Sequence, residues 1–190
     1  MPETSPSRGN PLAPSWLLVP RDANELPESV WSQNSSRSDD GQVTIAGVTT
    51  SELVGRLGTP LYVVDEADVR NRARSIRASF EREFSAVGSH ARVYYAGKAF
   101  LSTEVARWVT QEGLNIDVCS GGELAVALAA GVDGARLGFH GNNKSLSEID
   151  RAVGAGVGAI VIDSVVELGR VAEAATRHGR TQPVRLRINS

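Results

Sequence analysis

The sequence is poor in the residues that hold small secreted or metal-bound folds together. Cys119 is its only cysteine, which excludes an internal disulfide framework and a cysteine-based zinc site. Aromatic residues make up 5% of the chain. No apolar run approaches the roughly 18 residues of a membrane span. The start, Met1 to Asn10, is polar and Pro-rich rather than basic and then apolar, so it does not read as a signal peptide. A soluble, cytoplasmic protein is expected, with no membrane partner. Lysine is scarce too: of 20 basic residues only Lys98 and Lys144 are lysines, the other 18 being Arg. Each lysine therefore asks for its own explanation, the plainest being an Arg-favouring codon usage that left two surface lysines. Set against 22 acidic residues the net charge is −2, which argues against a nucleic-acid binder. What is present, 41% hydrophobic residues in a chain of 190, suffices for a buried core and fits one domain with an appendage.

Six of the eight prolines fall within the first 27 residues. Residues 1–41 read as an irregular leader, with Trp16 and Leu17 as its docking residues. The sequon-like Asn34-Ser35-Ser36 carries no meaning without a secretory signal. Residues 42–59 then read as a lead-in: "QVTIAGV" as a strand, and a short helix capped by Thr50 or Ser51 and stopped by Gly58.

From residue 60 a unit repeats. Short β-rich runs lie at 61–65, 92–96, 114–118, 136–140, 159–163 and 184–189, and helical patterns fill 66–84, 102–112, 121–130, 145–155 and 164–178. Gly113, Gly131, Gly156 and Gly179 end four of these helices just before the next strand. Such alternation predicts βαβ units and a parallel sheet. Of the two parallel architectures, a doubly wound dinucleotide fold needs G-x-G-x-x-G after its first strand, and "LYVVDEADVRNR" contains no glycine. Gly154, Gly156 and Gly158 precede a strand and read as a helix end and a loop. The fold class expected is therefore α/β, a partial (β/α)8 TIM barrel cut short after about six strands, because a whole barrel takes about 250 residues.

Reactive groups of parallel α/β folds sit at the C-terminal ends of strands. Those ends carry Asp65, Lys98, Asp117, His140, Asp163 and Asn189. Lys98 follows "VYYAG", where two aromatics are expected to desolvate it and favour the neutral amine that an imine-forming lysine needs. A lysine that merely caps a strand is the alternative.

"YYAGKAF", followed by an amphipathic helix and "GLNIDVCSGGELAVALAAG", resembles the cofactor-attachment region of the fold-type III pyridoxal-phosphate-dependent decarboxylases, which act on diaminopimelate, ornithine or arginine. "FHGNNKS" (139–145) and "AGVGAIVIDSVVEL" (155–168) point within that group to its diaminopimelate branch, of an actinobacterial kind. The resemblance spans Val43 to Ser190. Gly97 departs from it mildly, since many members carry a larger apolar residue there.

The resemblance implies pyridoxal 5'-phosphate as cofactor, a PLP-dependent carboxy-lyase acting on meso-diaminopimelate to give L-lysine, a homodimer at full length, and a small amino-acid substrate. Lys98 would hold the cofactor covalently and be the catalytic lysine. Asp117 would be a partner in the lysine and cofactor environment; otherwise it caps the next helix with Ser120. Gly121 and Gly122 would let that turn pass close to the ring. Glu123 would help on the lysine side, or serve only as a first-turn helix acid. His140 would lie at the cofactor site with Asn142 and Asn143, or be an ordinary loop histidine. Arg187 would approach the ring, although Arg185 shares its face. Lys144 reads as a solvated lysine at a helix start, Cys119 as a packed small group, and no metal site is expected. The family's phosphate-binding turn, pyridine-nitrogen acid and C-terminal β-domain belong to later segments, so these 190 residues read as an N-terminal part, inactive alone. The alternatives are ornithine, arginine or carboxynorspermidine decarboxylation on the same fold, or a non-enzymatic PLP-homeostasis barrel. The "VTIAGV" strand argues against the last.

Overall fold

A computed structural model describes residues 5–6, 18–19, 22 and 24–188. Trp16, Leu17 and Asn189 lie outside them. The chain divides into two compact units, residues 1–65 and 66–190.

In the first unit, β1 (Ser5–Pro6) pairs antiparallel with β2 (Leu18–Val19). The antiparallel strands β3 (Ser35–Arg37), β4 (Val43–Ile45) and β5 (Val48–Thr49) form a second sheet in that order. The leader is thus not irregular throughout: Ser35–Arg37 finds a ladder partner in Val43–Ile45. The expected single strand over "QVTIAGV" is also a hairpin, since Ala46 and Gly47 both take positive φ and the chain reverses over these two residues as a tight hairpin requires. Helix α1 (Thr50–Leu57) follows, its N-cap supplied by Thr49, whose Oγ accepts the Glu52 N–H. The run Leu61–Asp65, expected as the first barrel strand, is not paired into any sheet among the described residues. Aromatic and β-branched residues give such a run its propensity, but a strand needs a neighbouring backbone to complete its ladder. The Asp65 carboxylate accepts instead from Ser32 Oγ and Asn34 Nδ2.

The second unit opens with α2 (Glu66–Ala86). Strands β6 (Tyr94–Ala96), β7 (Asn115–Val118), β8 (Leu137–Phe139), β9 (Ala159–Ile162) and β10 (Val184–Leu186) alternate with α3 (Thr103–Gln111), α4 (Gly121–Ala129), α5 (Leu146–Ala155) and α6 (Val165–Arg177). All four strand pairings are parallel, and the spatial order is the sequence order. That order decides between the two architectures, because a doubly wound sheet reverses direction from a central strand. The unit is an arc of a singly wound barrel, with five paired strands rather than six.

Period-two alternation sorts the strands' two faces. Ile116, Val118, Leu137, Phe139, Ile160 and Ile162 pack into one core with Val105, Val109, Leu124, Ile149, Val153 and Val171 of the helices. The opposite, barrel-inner face carries Tyr94, Asn115, Asp117, Gly138, Val161 and Arg185, as the register requires. The four expected helix-ending glycines all take positive φ. Glu112 joins α2 to α3 through Arg70 and Arg74. No helix among the described residues is long and apolar enough to cross a membrane.

Candidate active site

At the C-terminal ends of the strands, Lys98, Cys119, Ser120, His140, Gly141, Asn142, Asn143, Glu148 and Arg187 line an open cavity of about 410 Å³. Three of the four expected site residues therefore meet in one place, and the fourth, Asp117, touches one of them.

Lys98 sits in a 3-10 turn (Gly97–Ala99) directly after β6. Gly97 is buried, and a Cβ there would lie 2.9 Å from the Asp117 carbonyl and 3.1 Å from Glu123 Oε2. The small residue is what lets the turn seat against β7. Lys98 is exposed and has no hydrogen bond or ion pair among the described residues, so the expected desolvation by two tyrosines is not found. The reason is alternation: Tyr95 turns to the helix side, where its hydroxyl donates to the Phe100 carbonyl (2.6 Å). Tyr94 on the inner face lies under the Arg185 guanidinium, 5.2 Å from its ring centre.

Asp117 is on the inner face of β7, with Oδ1 3.1 Å from His140 Nε2. The contact is a hydrogen bond when Nε2 carries a proton, and neither buried atom has another partner. Burial pushes the Asp117 carboxyl above the usual carboxylate range, against the opposing pull of His140 and Arg185. Gly138 makes room for it, since a Cβ there would collide with Asp117 Oδ1. Asp117 does not cap α4; Ser120 does so alone, through the Glu123 N–H. Glu123 in turn accepts the Cys119 N–H (2.9 Å) beside Gly97.

Arg185 and Arg187 share a face but not a level. Arg185 belongs to the Tyr94 layer, whereas Arg187, half exposed, reaches the cavity with Nε 3.0 Å from Asp163 Oδ1. Gly121 accommodates Glu148 of the next unit, whose Oε1 accepts the Gly121 N–H (2.6 Å). A Cβ at Gly122 would meet only the Ser120 Oγ, in ordinary contact at 3.7 Å. Among the described residues no group of three or more His, Cys, Asp or Glu could hold a metal ion.

Lys144 is not a solvated helix-start lysine. It is 3% exposed, and Nζ donates to the carbonyls of Gly141 (2.5 Å) and Val161 (2.7 Å) and to Glu167 Oε1 (2.8 Å). The polar surroundings "GNNKS" gave no hint of this burial. A signal for its partner was present, however: Ser120-x-x-Glu123, Ser145-x-x-Glu148 and Ser164-x-x-Glu167 repeat the capping-box pattern at three successive helix starts. Each Ser accepts the backbone N–H of its Glu. Each Glu carboxylate reaches back to a backbone N–H before the helix: Cys119, Ser145 and Asp163 respectively.

The chain belongs to the pyridoxal-dependent decarboxylases, matching their pyridoxal binding domain over residues 67–190. Within that family it is 49% identical over 163 residues to the diaminopimelate decarboxylase of Mycobacterium tuberculosis, covering 86% of this chain and 35% of that one. It is 48% identical over 167 residues to that of Mycobacterium leprae, covering 88% and 34%. The crystal structure of diaminopimelate decarboxylase from M. jannaschii superposes with a TM-score of 0.74 at 33% identity, over 83% of this chain and 36% of that one. The chain thus spans about a third of the length of the relatives it matches.

The residues present fit pyridoxal 5'-phosphate. Among the described residues, an amine without a protein partner faces an open cavity, beside a half-buried imidazole and carboxylate whose facing atoms have only each other. The half-exposed Arg187 adds a cation at the rim.

Proposed function

We propose that this chain supplies the cofactor-binding barrel segment of an enzyme that decarboxylates meso-diaminopimelate to L-lysine. The observation that carries the reading is the convergence of Lys98, His140 and Arg187 on one cavity at the strand ends, in a chain that matches proteins named diaminopimelate decarboxylase. When bound, pyridoxal 5'-phosphate supplies an electron sink for the pair left behind as a carboxylate departs as CO2. Lys98, whose exposed side chain faces the cavity, would hold the cofactor covalently through its amine. Asp117 orients the His140 imidazole through Nε2 and keeps that nitrogen's proton directed into the barrel. Arg187, its Nε committed to Asp163, turns its remaining N–H groups to the cavity. The working protein is read as a cytoplasmic homodimer acting on a free amino acid.

The test uses the full-length protein carrying these residues. Borohydride reduction of the PLP-loaded protein is expected to fix a pyridoxyl label on Lys98, and Lys98→Ala to lose both label and CO2 release from meso-diaminopimelate. Labelling of Lys98→Ala at wild-type stoichiometry overturns the assignment. Faster turnover of ornithine or arginine than of diaminopimelate overturns the substrate.

A further inference from the structure

Lys144 is not among the residues that line the cavity described above, yet it lies behind it. An ammonium has three N–H donors and no acceptor, and here all three are used, on the carbonyl of Gly141, the carbonyl of Val161 and the carboxylate of Glu167. These acceptors come from three different pieces: the loop after β8, strand β9 and helix α6. The Phe139 ring closes another side, 5.7 Å from Nζ.

Two ties run from this ammonium to the cavity. The first is short. Gly141 follows His140 directly and is held at φ 56, where a Cβ would collide with the Cys119 carbonyl; its own carbonyl is fastened to Nζ. The second runs through acids. Glu167 uses its other oxygen to accept the Asp163 N–H (2.8 Å). Asp163 lies between two cations, with Oδ2 3.8 Å from Nζ and Oδ1 3.0 Å from Arg187 Nε. His140 and Arg187, which lie on either side of β9, are thus referred to one buried charge.

We propose that Lys144 is a positioning residue for the cofactor cavity, setting the loop that carries His140 and, through Glu167 and Asp163, the guanidinium of Arg187. This rests on the reading of the cavity as a pyridoxal phosphate site. A lysine with only a structural role is replaceable once its charge partner is neutralised with it. A positioning lysine is not, because the Gly141 carbonyl and Asp163 lose their reference whatever the charge balance.

The experiment titrates pyridoxal 5'-phosphate into the apo form of the full-length protein and follows thermal melting in parallel, for wild type, Lys144→Met/Glu167→Gln and Glu167→Asp. The double variant is expected to melt close to wild type but to bind the cofactor about tenfold or more weakly, the order found when a residue that orients a ligand is lost. Wild-type melting with wild-type affinity overturns the proposal. Should the double variant not fold, Glu167→Asp decides. It keeps the charge pair but shortens its reach by a methylene, so severalfold weaker binding at an unchanged melting temperature is expected, and unchanged binding overturns. A wild-type protein that takes up no pyridoxal phosphate fails differently, by overturning the reading of the cavity itself.

Discussion

Single side chains at the strand ends act through the backbone as much as through one another. Glu148 accepts from the Ser145 N–H, the Gly121 N–H and the Ser145 hydroxyl, which together hold its carboxyl below the usual range. A carboxyl depressed on folding stabilises the fold above its unfolded pKa of about 4.3, and that contribution is lost as pH falls through the lower folded value. Glu148→Gln is therefore expected to cost about 1 kcal/mol at pH 7, a low figure because the group is partly solvated. The gap from wild type should narrow below about pH 4 in urea melts; a gap that widens there contradicts the sign. The buried pair behaves differently. Lys144→Met alone strands a carboxylate that is 6% exposed and is expected to remove about 3–5 kcal/mol. Adding Glu167→Gln should return most of it in the same urea denaturation.

Loops between β strands and α helices carry the site, and those before α4, α5 and α6 are tied down by their helices' first turns. The Ser-x-x-Glu boxes of α4, α5 and α6 spend their carboxylates on loop N–H groups, so the caps that start the helices also fix the loops before them. Gly141 is the tightest point, since it combines positive φ with close approach to the Cys119 carbonyl. Gly141→Ala is expected to strain this loop by about 1–3 kcal/mol and to displace His140. Calorimetry of cofactor binding should then show a loss larger than for an alanine at Gly169, which has open space and an ordinary helical setting.

Across the whole molecule, five strands in sequence order leave apolar side chains uncovered beside β10: Val165 is 86% exposed, Leu186 65% and Ile188 83%. Surface of this kind drives association when it stays open to water, as does the outer edge of β10. The isolated 190-residue chain is expected to self-associate in light scattering, and Val165→Lys with Ile188→Lys to reduce the associated fraction. A monodisperse wild-type chain would show that the arc closes its own surface.

Local sequence by itself determined the alternation of strand and helix, the glycines that end the helices, and the strand-end placement of Lys98, Asp117 and His140. Each is written in a few adjacent residues: a period, a backbone conformation that only glycine takes cheaply, a position after a β-rich run. Tertiary structure decided the rest, because the deciding neighbours are remote in sequence. Whether Leu61–Asp65 is a strand depends on a partner backbone, and its β-rich apolar run did not provide one. Tyr95 turned away from Lys98 once pairing with β7 had set which face was inner. Arg187 separated from Arg185 only when Asp163 and Tyr94 lay at different levels. Lys144 is the plainest case: in sequence it stands among asparagines and a serine, but the groups that bury it come from 17 and 23 residues further along the chain. Only packing β9 and the start of α6 beside its loop removes water from that ammonium and supplies carbonyls and a carboxylate in exchange.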